Sequence, residues 1–107
     1  MAEPCLIYVT AASAEQAKTI GRALVEAKLV ACVNILGGVT SIYRWQGAVV
    51  EDGEVVLLAK TRSARVDAVI DTVKSHHGYE CPCIVVLPII GGNPPFLDWI
   101  GQETAEA

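Results

Sequence analysis

The chain has 107 residues, 52% of them apolar, and carries 8 Lys and Arg against 12 Asp and Glu for a formal net charge of −4. That length predicts one domain over residues 1–107, and singly scattered basic residues in an acidic chain argue against nucleic acid or an anionic membrane surface as partner. No run approaches the roughly 18 apolar residues of a membrane span, and the start, Met1-Ala2-Glu3-Pro4, lacks the basic opening and apolar core of a signal peptide.

A cytoplasmic location is therefore expected. There Cys5, Cys32, Cys81 and Cys83 are thiols, core fillers or ligands before they are disulfides. The high apolar share implies a buried surface beyond the domain's own core, most simply an interface between copies of the chain.

Pro4 to Thr10 is a continuous apolar run of the kind found where both faces of a strand are covered, which predicts a central strand. Ser13-Ala14-Glu15-Gln16 has the spacing of a capping box, with Ser13 as N-cap and Gln16 reaching back. Ala17, Ile20, Leu24 and Ala27 succeed it along one helical face, and the helix should end near Lys28.

Leu29 to Arg62 reads as one long β-hairpin rich in the β-branched and aromatic residues that suit a half-buried pleated surface. Gln46-Gly47 and Asp52-Gly53 compete for its turn, and by turn chemistry alone Asp-Gly is the stronger signal. Gln46-Gly47 is preferred because it makes the arms nearly equal. It also leaves Gly37-Gly38 and Asp52-Gly53 on opposite arms, where strand glycines mark bulges or bends; two shorter hairpins are the alternative. Arms of about 15 residues would span roughly 50 Å, too long for so small a domain to cover by itself. Another copy of the chain would cover the remainder.

Ser63 should cap a second helix with Val66, Val69, Ile70 and Val73 on its apolar face, His76 and His77 in its last turn and Gly78 at C′. A dense strand comes after Pro82, and Asn93-Pro94-Pro95 opens a third helix with Asn93 capping, Pro94 at N1 and Phe96, Trp99 and Ile100 on one side. The order β-α-β-β-α-β-α matches a ferredoxin-like α+β fold, βαββαβ with a long central hairpin and a short C-terminal helix. One face of its sheet would lie bare.

Chemistry-bearing residues are sparse outside Lys74-Ser-His-His-Gly-Tyr-Glu-Cys-Pro-Cys83. Cys81 and Cys83 are two apart, so in an extended segment they point to one face. With His76 and His77 nearby they suit copper or zinc. The alternative is histidines that complement the helix dipole beside core thiols. Tyr43, Arg44, Trp45 and Lys60 could line a pocket between subunits, or simply pack and face solvent. Glu51, Asp52 and Glu54 read as a solvated edge.

Ala31-Cys-Val-Asn, Gly38-Val-Thr-Ser-Ile-Tyr-Arg-Trp-Gln-Gly47, Lys60-Thr-Arg, Lys74-Ser-His-His-Gly-Tyr79, Leu87-Pro-Ile and Gly92-Asn-Pro-Pro-Phe-Leu-Asp-Trp-Ile100 together resemble the CutA divalent-cation tolerance proteins. The resemblance runs from about Leu6 to Ile100. It implies a homotrimer, a structural likeness to the PII nitrogen-regulatory proteins, and a link to tolerance of copper and other divalent metals.

In some members the resemblance also implies copper ligation by the adjacent histidines, here His76 and His77, with a cysteine at the position of Val9. That ligand is missing here. Cys81, Cys83 and Gly78 depart from the pattern as well, and the two thiols could shift the site towards a soft metal. A second expectation is a PII-like module that binds a small anion or metabolite between subunits through Arg44, Lys60, Tyr79 and Glu80. No nucleophile and base pair suggests an enzyme.

Overall fold

Apolar residues at every second position of the first strand and every third or fourth position of the first two helices decide how the elements pack. In the computed structural model, which describes residues 3–105, they form β1 (Pro4–Ala11), α1 (Ala14–Glu26), β2 (Cys32–Trp45), β3 (Ala48–Arg62), a 3₁₀ turn (Ser63–Arg65), α2 (Val66–His76), β4 (Ile84–Pro88) and α3 (Pro94–Glu103). The reading of Met1-Ala2 and the outer limits of the 1–107 domain lie outside the described residues.

The four strands make one antiparallel sheet in the order β2-β3-β1-β4. This is the ferredoxin-like arrangement expected from the element order. Ile7, Val9 and Ala11 of β1 and Val55, Leu57 and Ala59 of β3 share one face with Ala17, Ile20 and Leu24 of α1 and Val69 and Val73 of α2, forming the main core. The opposite residues of β1, Leu6 and Tyr8, are only half-buried. The strand is central as expected, but only its helix-facing side is fully covered within the chain.

Local chemistry differs from expectation at several ends. Ser13 caps α1 through its Oγ, which accepts from the Gln16 N–H at 3.1 Å, while the Gln16 amide oxygen accepts from Ala12 rather than Ser13. Ala27 is the exposed C-cap and not part of the buried face. Ser63 opens the 3₁₀ turn instead of capping α2, whose N-cap is Arg65 without a side-chain bond; the Ser63 N–H is drawn to the Glu3 carbonyl. Asn93 caps α3 through its backbone carbonyl, which accepts from Phe96 and Leu97.

Of the apolar side of α3, Ile100 is buried, but Phe96 and Trp99 pack on each other and stay about two-fifths exposed. The anchors of this helix are therefore Ile100 and the buried Thr104. The Thr104 carbonyl accepts from Arg62 Nη2 and Arg65 Nε, each at 2.8 Å.

The hairpin turns at Gln46-Gly47, with φ of 49° and 82° in the left-handed region that a two-residue hairpin turn requires. Asp52-Gly53 stays inside β3, paired with Ser41 and Thr40. Between Leu36 and Val39 the register slips, so Gly37 and Gly38 oppose Val55 alone, and Gly38 takes φ 72°. This is a bulge.

The extra residue changes which side chains share a face. Leu36 pairs with Val56 on the face away from the helices, and beyond the bulge that face is continued by Val39, Ser41, Tyr43 and Trp45, opposite Glu54, Asp52, Val50 and Ala48. Uninterrupted alternation from Leu36 would have placed Ile42 and Arg44 there instead.

Pairing of β1 stops at Ala11 and Val55. Beyond it the hairpin continues as two strands only, stretching the molecule to 44 × 26 × 22 Å. Ile42 and Val49 on this arm are 66% and 67% exposed, and an isolated two-stranded hairpin is marginally stable in water.

Candidate functional site

The hairpin beyond the bulge, the central strand β1 and the segment after α2 meet on the sheet face away from the helices. There they enclose an open cavity of about 710 Å³ whose walls include Tyr8, Tyr43, Trp45, Glu54, Tyr79 and Glu80, with Cys81 and Cys83 at its border. β1 supplies Tyr8 and the hairpin supplies Tyr43, Trp45 and Glu54. Tyr79, Glu80 and the cysteines come from the link between α2 and β4.

His77 holds that link in place. Its Nδ1 accepts from the Tyr79 N–H at 3.1 Å, so the ring proton sits on Nε2, which donates to the Thr10 carbonyl at 2.7 Å. The Tyr79 ring packs on the imidazole with centroids 4.6 Å apart. These bonds draw His77 into an extended conformation (φ −91°, ψ 141°) that ends α2. Gly78 occupies C′ as expected, but without the left-handed φ that glycine often takes there; among the described residues the glycines of positive φ are Gly38 and Gly47.

Two tyrosine hydroxyls donate to acidic residues of the hairpin, Tyr43 to Asp52 at 2.6 Å and Tyr79 to Glu54 at 2.8 Å. The acidic stretch read as a solvated edge thus furnishes acceptors to the site. In sequence the signal was the register: Ser41, next but one to Tyr43, faces Asp52, and Val39 faces Glu54.

The Tyr79 phenol is pushed up to about 12, first by partial burial and then by its bond to the Glu54 carboxylate. Tyr43 is raised as well, chiefly by the Asp52 bond. A raised phenol favours folding while it keeps its proton. The Tyr79 contribution is thus fully present below the unfolded value near 10 and is lost as pH rises through about 12. Absorbance titration of tyrosinate should show one late-ionising residue near pH 12, absent in Tyr79→Phe and moved down in Glu54→Gln.

The four candidate ligands are not equivalent. His77 has both ring nitrogens engaged within the chain. His76, at the last position of α2, and Cys81 and Cys83 are exposed. Among the described residues no group of three or more His, Cys, Asp and Glu side chains converges as a metal site would require.

Cys5 is buried, which raises its thiol above the ordinary range, and Cys32 is half-buried. Because the thiolate is the reactive form, a limiting iodoacetamide pulse should label Cys81 and Cys83 first and Cys5 last, read by peptide mass mapping. Of the residues expected to bind a small anion, Tyr79 and Glu80 line the cavity. Lys60 instead donates to Asn34 on the neighbouring strand, and Arg44 is exposed on the hairpin outside the lining. Sequence reasoning did not single out Tyr8 or the role of Glu54.

A family profile described as CutA1 divalent ion tolerance protein matches residues 5–103. The chain belongs to this family. It is 50% identical over 99 residues to the divalent-cation tolerance protein CutA of Thermus thermophilus, covering 92% of this chain and 96% of that one. It is 45% identical over 97 residues to the protein CutA of Mus musculus, covering 91% of this chain but 55% of the relative, so it spans about half the length of that mammalian protein.

Among solved structures, the divalent cation tolerance protein of Thermus thermophilus superposes with a TM-score of 0.93 at 49% identity, covering 95% of this chain and 99% of that one. CutA1 of Oryza sativa superposes with 0.93 at 39% identity, covering 99% and 98%. CutA membership ties the chain to divalent-metal tolerance, and none of these names is that of an enzyme. Among the described residues no helix is long and apolar enough to cross a membrane. Relatives are described as chloroplastic in Oryza sativa and periplasmic in Archaeoglobus fulgidus.

Proposed function

We propose that this CutA-family chain is a non-enzymatic, cytoplasmic homotrimer of one domain over residues 1–107, which contributes to metal tolerance by binding copper or a similar soft metal. The observation that carries the metal reading is the pair of exposed thiols, Cys81 and Cys83, two residues apart at the cavity border and close in sequence to the exposed His76. Paired thiolates suit Cu(I) and zinc better than hard divalent ions. His77 can join them only by giving up its bond to Thr10 or to Tyr79, so Cys81, Cys83 and His76 are the ligands of first resort.

The trimer reading is supported by the sheet face away from the helices, where Leu36, Val85 and Leu87 lie about half exposed, and by the unsupported distal hairpin. An apolar surface of this kind calls for a covering partner. Native mass spectrometry of the reduced protein with and without a few equivalents of copper tests both halves of the proposal. The expected result is a trimer that gains a fixed number of copper ions per chain and loses them in Cys81→Ala/Cys83→Ala. A trimer that stays metal-free would overturn the metal half, and a monomer would overturn the assembly.

A second reading is a PII-like module that holds a small molecule in the cleft between subunits. The cavity favours it, because its volume lies within the roughly 300–1,000 Å³ of small-molecule sites.

A further inference from the structure

All three tyrosines of the chain and one of its two tryptophans line a single cavity. Within one chain Glu54 and Glu80 share its wall, while among the described residues no Lys, Arg or His does. Asp52 lies one pleat along β3 from Glu54, on the same face. Among the described residues none of these three carboxylates is paired with a cationic side chain; the partners of Asp52 and Glu54 are neutral phenols. We infer that the cavity binds an organic ammonium ion, held by the aromatic rings of Tyr8, Tyr43, Trp45 and Tyr79 and by the carboxylates of Glu54 and Glu80. This rests on the second reading above, that the cleft holds a small ligand, and supplies its chemical class.

Sign and hydration select that class. Uncompensated carboxylates beside low-dielectric ring walls repel an anion, and the two basic residues that could have reversed the field, Lys60 and Arg44, lie outside the lining. A small hard divalent ion wants about six oxygen ligands and keeps its water tightly. Here Tyr43 and Tyr79 spend their protons on the acidic groups, and no set of three metal-ligating side chains converges among the described residues. A quaternary ammonium is weakly hydrated and gains from aromatic rings by cation–π attraction and from the carboxylates by coulombic attraction, while a protonated amine also donates charge-assisted hydrogen bonds to those carboxylates. Aromatic walls with an acidic rim serve that ligand and are of little use to a bare metal ion.

The test uses the full-length reduced chain carrying Trp99→Phe, so that Trp45 alone reports fluorescence. It is titrated with tetramethylammonium, with spermidine, and with neopentyl alcohol as the neutral match. Saturable binding of either cation is expected, at least tenfold tighter than that of the alcohol. Affinity should fall at least tenfold in Tyr79→Leu and fivefold in Glu54→Gln, yet stay within twofold in Cys81→Ala/Cys83→Ala.

Equal binding of the alcohol, no binding of either cation, or indifference to Tyr79→Leu would each overturn the inference. Trp45→Leu, read by calorimetry, provides a second ring deletion at an exposed position should Tyr79→Leu unfold, and full affinity there would overturn it as well. If the double cysteine variant loses copper but keeps the ammonium ion, the metal proposal and this one stand separately. Loss of both ligands in that variant would assign the cavity to the thiols and overturn the inference.

Discussion

Val85→Asp is expected to turn a trimer into monomers at micromolar concentration while hardly changing the stability of the monomeric fold. Val85 lies on edge strand β4, in register with Tyr8, and is 49% exposed within the chain. On a free surface such a substitution changes stability by no more than about 0.5 kcal/mol. On a covered face it buries a carboxylate without a partner, which costs several kcal/mol at each interface. Three symmetry-related interfaces multiply the effect. Sedimentation velocity over a concentration series measures it directly, and a trimer that survives the substitution would mean that this face is open to water.

Leu57→Ala should act in the opposite way, by destabilising the fold of each chain. Leu57 is 1% exposed in the helix-facing core, where it belongs to the same cluster as Ile7, Ile20 and Leu24. Removing a fully buried leucine side chain costs about 2–5 kcal/mol, the spread depending on how far neighbours collapse into the space. For a domain of this size that lowers the melting temperature by roughly 4–8 °C per kcal/mol. Urea unfolding with an unchanged slope and a lower midpoint would assign the loss to stability alone. A cost below about 1 kcal/mol would show that the core repacks around the gap.

Position decides the contrast between these two substitutions, and the sequence conveys position unevenly. Alternation in Ile7, Val9 and Ala11 and the helical spacing of Ala17, Ile20 and Leu24 identify one face of each element, because only one register buries them all. The capping serine of α1 and the equal arms of the hairpin were equally legible. Ser63 was not: as a serine before an apolar run it fits a cap, yet it opens a 3₁₀ turn, Ser63–Arg65, and α2 starts only at Val66. Phe96 and Trp99 share one side of the third helix with Ile100 in the sequence, but both stay partly exposed, and the end of the helix is tied down by Thr104 through two arginines distant in sequence.

At the site, the residue types around His77 and Cys83 drew notice because imidazoles and thiols are uncommon and chemically distinctive. Their relations were not readable. His76 and His77 are alike in sequence, but one ends α2 exposed while the other spends both nitrogens on Thr10 and Tyr79. Arg44 and Trp45 are neighbours, but a single extra residue at Gly37-Gly38 gives Trp45, not Arg44, to the cavity.

By itself the sequence determined the features that local periodicity and turn chemistry dictate: the element order, the helix-facing core, the long hairpin with its turn at Gln46-Gly47, and the family signature. Only the tertiary structure decided which side chains converge. Convergence depends on strand register, on a bulge that shifts that register, and on hydrogen bonds between residues as far apart as Thr10 and His77. Those bonds are set by the packed whole, where a one-residue slip moves a side chain from one face of the sheet to the other.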